Sequence, residues 1–515
     1  MRMRGRSFGS FNARGARRLA TAGVAALALL AIAIALITLW RSYAPLRIER
    51  RWIGTTPATI YHAGVRAPAI VIAHGFAGSQ QLMEPFALTL ARAGYTTITF
   101  DFPGHGRNAP PAGVALQADR RSDQLERTID EIVAAARAMG DGRVGLLGHS
   151  MGAGVVTRYA MTHDEIDATV AISSFVSDVD ADRPRNLLLI VGALERRLAA
   201  LAQDVIDQAA GGAGARGVTY GSVADGTARR LVVAPRVEHV GVLFSATSLR
   251  ESLAWFDQVY GTRRESAPFI DQRMLPLGSL FAAATLLFWT LTRFPAQMET
   301  RRKRVRSDWR WWGIVIAPAL LTPVALRALP THDLLPILVG GPLAVFFAIY
   351  GGLTALGVAL LRAADDSATG VSQWRTSIVV ALLTLGYVAT LFGLPAHRFV
   401  INLALPSARL PVFGAVLLAL LPYLIADEYL TRRMGPRGAY AITKGALLLS
   451  LGLAIALDPQ LFFLTLILPL FVIYFALFGL FSGWLDRLTG TPLPGALTNA
   501  IIFAWSIAAV FPLVA

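Results

Sequence analysis

Val144-Gly-Leu-Leu-Gly-His-Ser150-Met-Gly-Ala-Gly154 is the stretch whose reading decides the fold. The apolar run 144–147 predicts a buried strand, and 153–160 predicts a helix. Between them lies Gly148-His-Ser150-Met-Gly152, a G-x-S-x-G turn in the strand–turn–helix setting it requires. Physical constraints account for the spacing. Ser150 must stand on a tight turn with its hydroxyl raised above the sheet edge. Gly148 and Gly152 flank it because a Cβ at either place would meet the neighbouring strand or helix. The helix N-terminus after Ser150 offers a positive dipole end and the backbone N–H of Met151. The pattern points to a nucleophile; a structural turn is the bland alternative.

A serine hydroxyl needs a base to take its proton. Of the eight histidines, His62, His74, His105 and His149 precede Ser150. His163 lies down the following helix, and His332 and His397 fall in an apolar C-terminal region. His239 remains, directly after the apolar run 230–234, and is the expected base. The acid that orients it should follow the strand before, 187–191, where Glu195 stands in Gly192-Ala-Leu-Glu195. Asp178, Asp225 and Glu238 are the alternatives, and a solvated Glu195 at a helix start is the bland one. Around these residues, 46–262 alternates apolar strands (69–73, 95–100, 168–172) with helical stretches (80–93, 118–139, 196–210). That pattern predicts a mostly parallel sheet with helices on both faces.

The set His74-Gly-Phe76, Asp101-Phe-Pro-Gly-His-Gly106, Gly148-His-Ser-Met-Gly152, Glu195 and His239 resembles an α/β-hydrolase-fold serine hydrolase. The likeness covers residues 46–260. It implies that the N–H groups of Phe76 and Met151 form an oxyanion hole. His74 and the Asp101–Gly106 turn are expected to be structural. Glu195 departs from the commoner aspartate of the family. Only residues 173–185 separate two core strands, so no lid is expected. The arrangement is therefore similar to dienelactone-hydrolase-like and small esterase members.

The remainder is of another kind. The chain has 515 residues, 54% of them hydrophobic, with net charge +15, and a mean hydropathy of +0.52. That is too apolar for a wholly soluble chain. Residues 1–18 read as a basic, disordered, cytoplasmic tail and 19–40 as a transmembrane signal anchor. From 273 to 515 the chain reads as an all-α polytopic region of about eight spans, which makes about nine in all. Arg301-Arg-Lys-Arg-Val-Arg306, Arg362, Arg375, Arg432, Arg433, Arg437 and Arg487 fall on the side shared with the N-terminus. By the positive-inside rule the α/β region is then expected on the extracytoplasmic side of a bacterial plasma membrane. Trp309, Trp311, Trp312, Trp374 and Trp484 are expected at the interfaces. Asp427, Glu428 and Lys444 are expected to snorkel from span ends.

The basic residues lie beside apolar segments and no nucleic-acid module is visible, so no nucleic-acid partner is expected. Absent cysteine excludes disulfides and thiolate chemistry. No metal or organic cofactor is expected. The expected activity is acyl or lipid-like ester hydrolysis through a Ser-His-Glu acyl-enzyme, with a small-molecule or lipid substrate and the bilayer as partner. An acyltransferase with the same groups, or a transporter or scaffold with a binding-only domain, are the competing functions.

Overall fold

Burial follows the apolar runs. The computed structural model describes residues 9–62, 64, 66–110, 118–175, 179–180, 182–293, 308–363 and 374–514. Nine strands form one sheet: β1 (Arg47–Ile53), β2 (Thr56–His62), β3 (Ala69–Ala73), β4 (Thr96–Phe100), β5 (Val144–His149), β6 (Ala168–Ile172), β7 (Leu187–Gly192), β8 (Thr219–Tyr220) and β9 (Arg229–Ala234). Their order is β1-β2-β4-β3-β5-β6-β7-β9-β8. From β4 to β9 every pairing is parallel, while β1, β2 and β8 join antiparallel. The central parallel strands β3 to β7 are buried along their length, as strands covered on both faces must be, while β9 is partly exposed at Arg230 and Val233. The edge strand β1 (Arg-Ile-Glu-Arg-Arg-Trp-Ile) is instead charged and largely exposed, which discourages pairing with another chain.

Helix Ala118–Met139 shows why this sequence packs as it does. Leu125, Ile129, Ile132, Val133 and Ala136 recur at helical spacing and are all buried against β3 and β5. Each such burial is worth about 1.5–3 kcal/mol for the larger side chains. The stretch 80–93, expected as one helix, divides into a 3₁₀ turn (Gln80–Met83) and a helix (Glu84–Arg92) with Pro85 in its first turn. The two-residue strand β8 carries too little pattern to be read from sequence.

The chain divides into two units. One comprises residues 35–278 together with two short segments, 395–406 and 509–515, taken from the far part of the sequence. Both segments are hydrogen-bonded in: Asn402 N–H donates to Ser79 Oγ at 3.0 Å, and Leu513 N–H donates to Gly104 O at 2.9 Å. Within this α/β unit the Glu84 carboxylate accepts from Tyr61 Oη, Arg273 and Arg398, each at 3.0 Å, and from Tyr43 Oη. Arg273 is buried and also paired to Asp271. Desolvation pulls the Arg273 guanidinium toward neutrality, but Asp271, Tyr43 and Glu84 outweigh it and hold it firmly charged.

The other unit is helical: residues 1–34, 279–394 and 407–508. Among the described residues, nine helices of the chain are long and apolar enough to cross a membrane. The first helix begins at Gly9, inside the segment expected to be disordered. Extending a formed helix costs little, and Ala and Arg are strong formers. Phe288 stacks on Phe481 with ring centroids 4.3 Å apart, and Phe471 meets Phe503 edge-on at 4.8 Å. Trp309, Trp312 and Trp374 are exposed at helix starts, whereas Trp311 is fully buried.

Lys444, Asp427 and Glu428 do not snorkel. Lys444 Nζ donates to Asp427 at 2.6 Å and to Tyr423 Oη at 2.8 Å, all buried. Glu428 pairs with Arg432 at 2.9 Å, and Asp486 with Arg433. Lys444–Asp427 and Arg433–Asp486 neutralise opposite charges between neighbouring helices, which a span-by-span count of charges does not reveal, while Glu428 and Arg432 lie one turn apart along a single helix. The basic run 301–306 lies outside the described residues.

Candidate active site

The turn after β5 holds Ser150 at φ 52°, ψ −118°, a conformation an L-residue adopts only under constraint. The constraint is steric. A Cβ on Gly148 would come 2.5 Å from Gly152 O, and one on Gly152 would come 2.5 Å from His74 O. Helix Met151–Thr162 therefore packs directly on the strands, and Ser150 is raised at the carboxyl edge of the sheet. Its N–H donates to Ile172 O at the end of β6, at 2.8 Å.

His239, five residues beyond β9, reaches this hydroxyl. Its Nε2 lies 2.9 Å from Ser150 Oγ, and its Nδ1 lies 2.7 Å from Glu195 Oε1. With a carboxylate at Nδ1, that nitrogen carries the proton and Nε2 is left to accept from the serine. Glu195 follows β7 and is itself held. Its Oε2 accepts from Ser173 Oγ at 2.6 Å and from Gly192 N–H at 2.7 Å. Burial pushes the Glu195 carboxyl up, but the hydrogen bonds from His239, Ser173 and Gly192 outweigh it and hold the group below the usual range. The Glu195 carboxylate thus faces the Nδ1 side of the His239 imidazole.

The alternative acids behave otherwise. Glu238 accepts from Val240 and Gly241 N–H and closes its own turn. Asp225 is exposed on the turn before β9. Asp178 lies outside the described residues. Phe76 follows β3 and packs edge-on against His105 at 5.3 Å, and Met151 opens the helix after the serine. His74 is a brace: Nδ1–H donates to Gly75 O at 2.7 Å, and Nε2 accepts from Phe102 N–H at 3.0 Å. Burial lowers its pKa and keeps it neutral in that double role. Asp101 accepts from Gln80 N–H and Nε2 at 2.8 Å each, and so ties the β4 turn to the loop after β3. Among the described residues, no group of three His, Asp or Glu side chains is placed to hold a metal.

Two contributors escape a sequence search. Ser173 sits directly after β6 at φ 51° and is one of Glu195's three donors. Only its place at a strand end hints at this. His149, the residue before the serine, donates from Nε2 to the backbone O of His239 at 2.8 Å and so fixes the loop that carries the imidazole. Burial, together with the nearby His239, lowers the His149 pKa to about 3.

That depression makes a stability statement. The unfolded chain takes up a proton at His149 near pH 6.5, and the folded chain only near 3. Stability is full above 6.5 and falls with pH through that window, by about 1.4 kcal/mol per unit for this group. Denaturant unfolding of the full chain in detergent between pH 7 and 4 should therefore show a shallower pH slope for His149→Gln than for wild type. Equal slopes would remove the assignment.

A family profile described as alpha/beta hydrolase fold matches residues 68–207. Together with the sheet order and the placement of the serine turn after β5, this decides the fold.

Residues 47–260 have the α/β-hydrolase fold.

The chain is also similar to an uncharacterized 31.7 kDa protein of the traX-finO intergenic region of Escherichia coli. Identity is 29% over 112 residues, which is 22% of this chain and 38% of that protein. The chain spans about a third of the length of the curated relatives it matches. A dienelactone hydrolase from Anabaena variabilis ATCC 29413 shares 16% identity, with 42% of this chain and 98% of that one covered and a TM-score of 0.31. A bacterial membrane phospholipase A shares 15% identity, with 50% and 100% covered and a TM-score of 0.33.

Proposed function

We propose that the protein is a membrane-embedded serine hydrolase that cleaves carboxylic esters, with its hydrolase unit outside the cytoplasm. One observation carries the chemistry: Glu195, His239 and Ser150 are linked by hydrogen bonds of 2.7 and 2.9 Å. The Ser150 oxygen attacks the acyl carbonyl while His239 Nε2 takes its proton. Negative charge on the carbonyl oxygen is met by the N–H of Met151 at the helix N-terminus and by that of Phe76 in the loop after β3. Collapse of the tetrahedral intermediate expels the alcohol, which receives the proton from His239, and leaves Ser150 acylated. Water, deprotonated by His239, then releases the acid and restores the serine. Glu195 stays ionised and stabilises the imidazolium throughout. No step calls on a metal or organic cofactor.

The membrane reading is supported by the nine apolar helices and by large side chains on them left in the open, such as Leu449, Leu418 and Leu383. The arginine distribution supports the sidedness. Incubating membranes with a fluorophosphonate probe tests the function. The expected result is a single adduct on Ser150 by peptide mass spectrometry and hydrolysis of short p-nitrophenyl esters. Absence of both would favour a binding-only domain.

A further inference from the structure

A second polar cluster lies along the same sheet edge as Ser150. Thr59 of β2, Thr99 of β4, Ile72 of β3 and Leu147 of β5 form one continuous register row. Thr59 therefore stands three strand spacings from β5, about 14 Å. Beside it opens a cavity of about 230 Å³. Arg50, Arg107 and Arg398 line it, with His397 and Gln81. These residues come from β1, from the turn after β4, from the loop after β3, and from the segment 395–406 that folds with this unit.

The carboxylates at hand are already engaged. Glu84, the one acid lining the cavity among the described residues, accepts from Tyr43, Tyr61, Arg273 and Arg398. Asp101, 4.0 Å from Arg107 Nε, accepts from both nitrogens of Gln80 and from Arg107 N–H. Arg50 is exposed and forms no ion pair among the described residues. His397 Nδ1 accepts from Leu403 N–H at 3.0 Å, so Nε2 carries the proton and is a donor. The Gln81 Oε1 atom is buried without a hydrogen-bond partner. Turning that amide end for end would put two more N–H donors in its place. Three guanidiniums, an imidazole N–H and a reversible amide form a donor-rich wall with few acceptors left over. Guanidinium forks match tetrahedral oxyanions in geometry as well as charge. A water occupies about 30 Å³ in the liquid, so the cavity has room for a phosphate group and its attached atoms.

We propose that this cavity binds a phosphate-type oxyanion, carried either by an anionic lipid headgroup or by a small soluble phosphate. The site does not rest on the serine chemistry, and its test reads binding alone. The full chain, purified in neutral detergent, is titrated calorimetrically with inorganic phosphate at constant ionic strength set with sodium chloride. Saturable binding is expected. Removing one charge-assisted hydrogen-bonding partner should weaken it about tenfold, so Arg50→Gln costs about tenfold and Arg50→Gln with Arg107→Gln about a hundredfold. Arg50 is exposed, so the single variant reports even if the double one misfolds by circular dichroism. No saturable binding by the wild type, or unchanged affinity in the single variant, overturns the site. A second arm repeats the titration in nanodiscs of phosphatidylcholine with and without phosphatidylglycerol. Loss of phosphate binding only with phosphatidylglycerol assigns the site to a lipid headgroup; unchanged binding assigns it to a soluble phosphate.

Discussion

Ser150→Ala should lower kcat for a short p-nitrophenyl ester by about a millionfold, with KM little changed. The alanine keeps the strained turn but removes the hydroxyl that His239 Nε2 reaches. Because the serine and the imidazole act as one unit, Ser150→Ala combined with His239→Ala should be no slower than either alone. Additive losses, or a Ser150→Ala enzyme within about tenfold of wild type, would mean that another nucleophile performs the reaction. Initial rates on purified protein, with fluorophosphonate labelling as a check on contaminating esterases, decide it.

Glu195→Gln should lower kcat by about ten-thousandfold while leaving the fold intact. The reason is a count of donors. Glu195 receives hydrogen bonds from His239 Nδ1, Ser173 Oγ and Gly192 N–H. A glutamine has one acceptor oxygen and an NH₂. If its oxygen faces His239, its NH₂ meets the Gly192 N–H, donor against donor. If it turns over, the NH₂ forces His239 into the tautomer whose Nε2 carries a proton and cannot take one from the serine. Asp225→Asn should leave kcat unchanged, since Asp225 is exposed on a turn away from the Glu195–His239 pair. A loss of equal size in Asp178→Asn, with Glu195→Gln active, would move the acid to the preceding strand.

How far these residues were legible depended on whether their signal was local. The serine turn was readable because steric demand writes glycines at both flanks, and because strand and helix periodicities change across it. The place of His239 beside the Ser150 hydroxyl was readable by elimination among the eight histidines. Glu195 needed only its place after β7. Ser173 and His149 were not legible as contributors. Each acts through one hydrogen bond to a residue 22 or 90 positions away, and sequence carries no mark of such a bond. The buried pairing of Lys444 with Asp427 was hidden for the same reason: it joins two helices, while hydropathy weighs each alone. The Arg50, Arg107 and Arg398 cluster draws on three distant stretches and has no sequence signature at all.

The two borrowed segments have a practical consequence. Glu84 sits buried beneath Arg273 from one stretch and Arg398 from another more than a hundred residues later. Cutting the chain at the end of the contiguous hydrolase region would strip that carboxylate of one cation and bare the surface that 395–406 covers. Losing one charge-assisted hydrogen-bonding partner of this kind typically costs about 1.5–3 kcal/mol. The α/β unit is therefore not contiguous in sequence, and any attempt to crystallise or shuffle it must carry those later stretches of chain along with it.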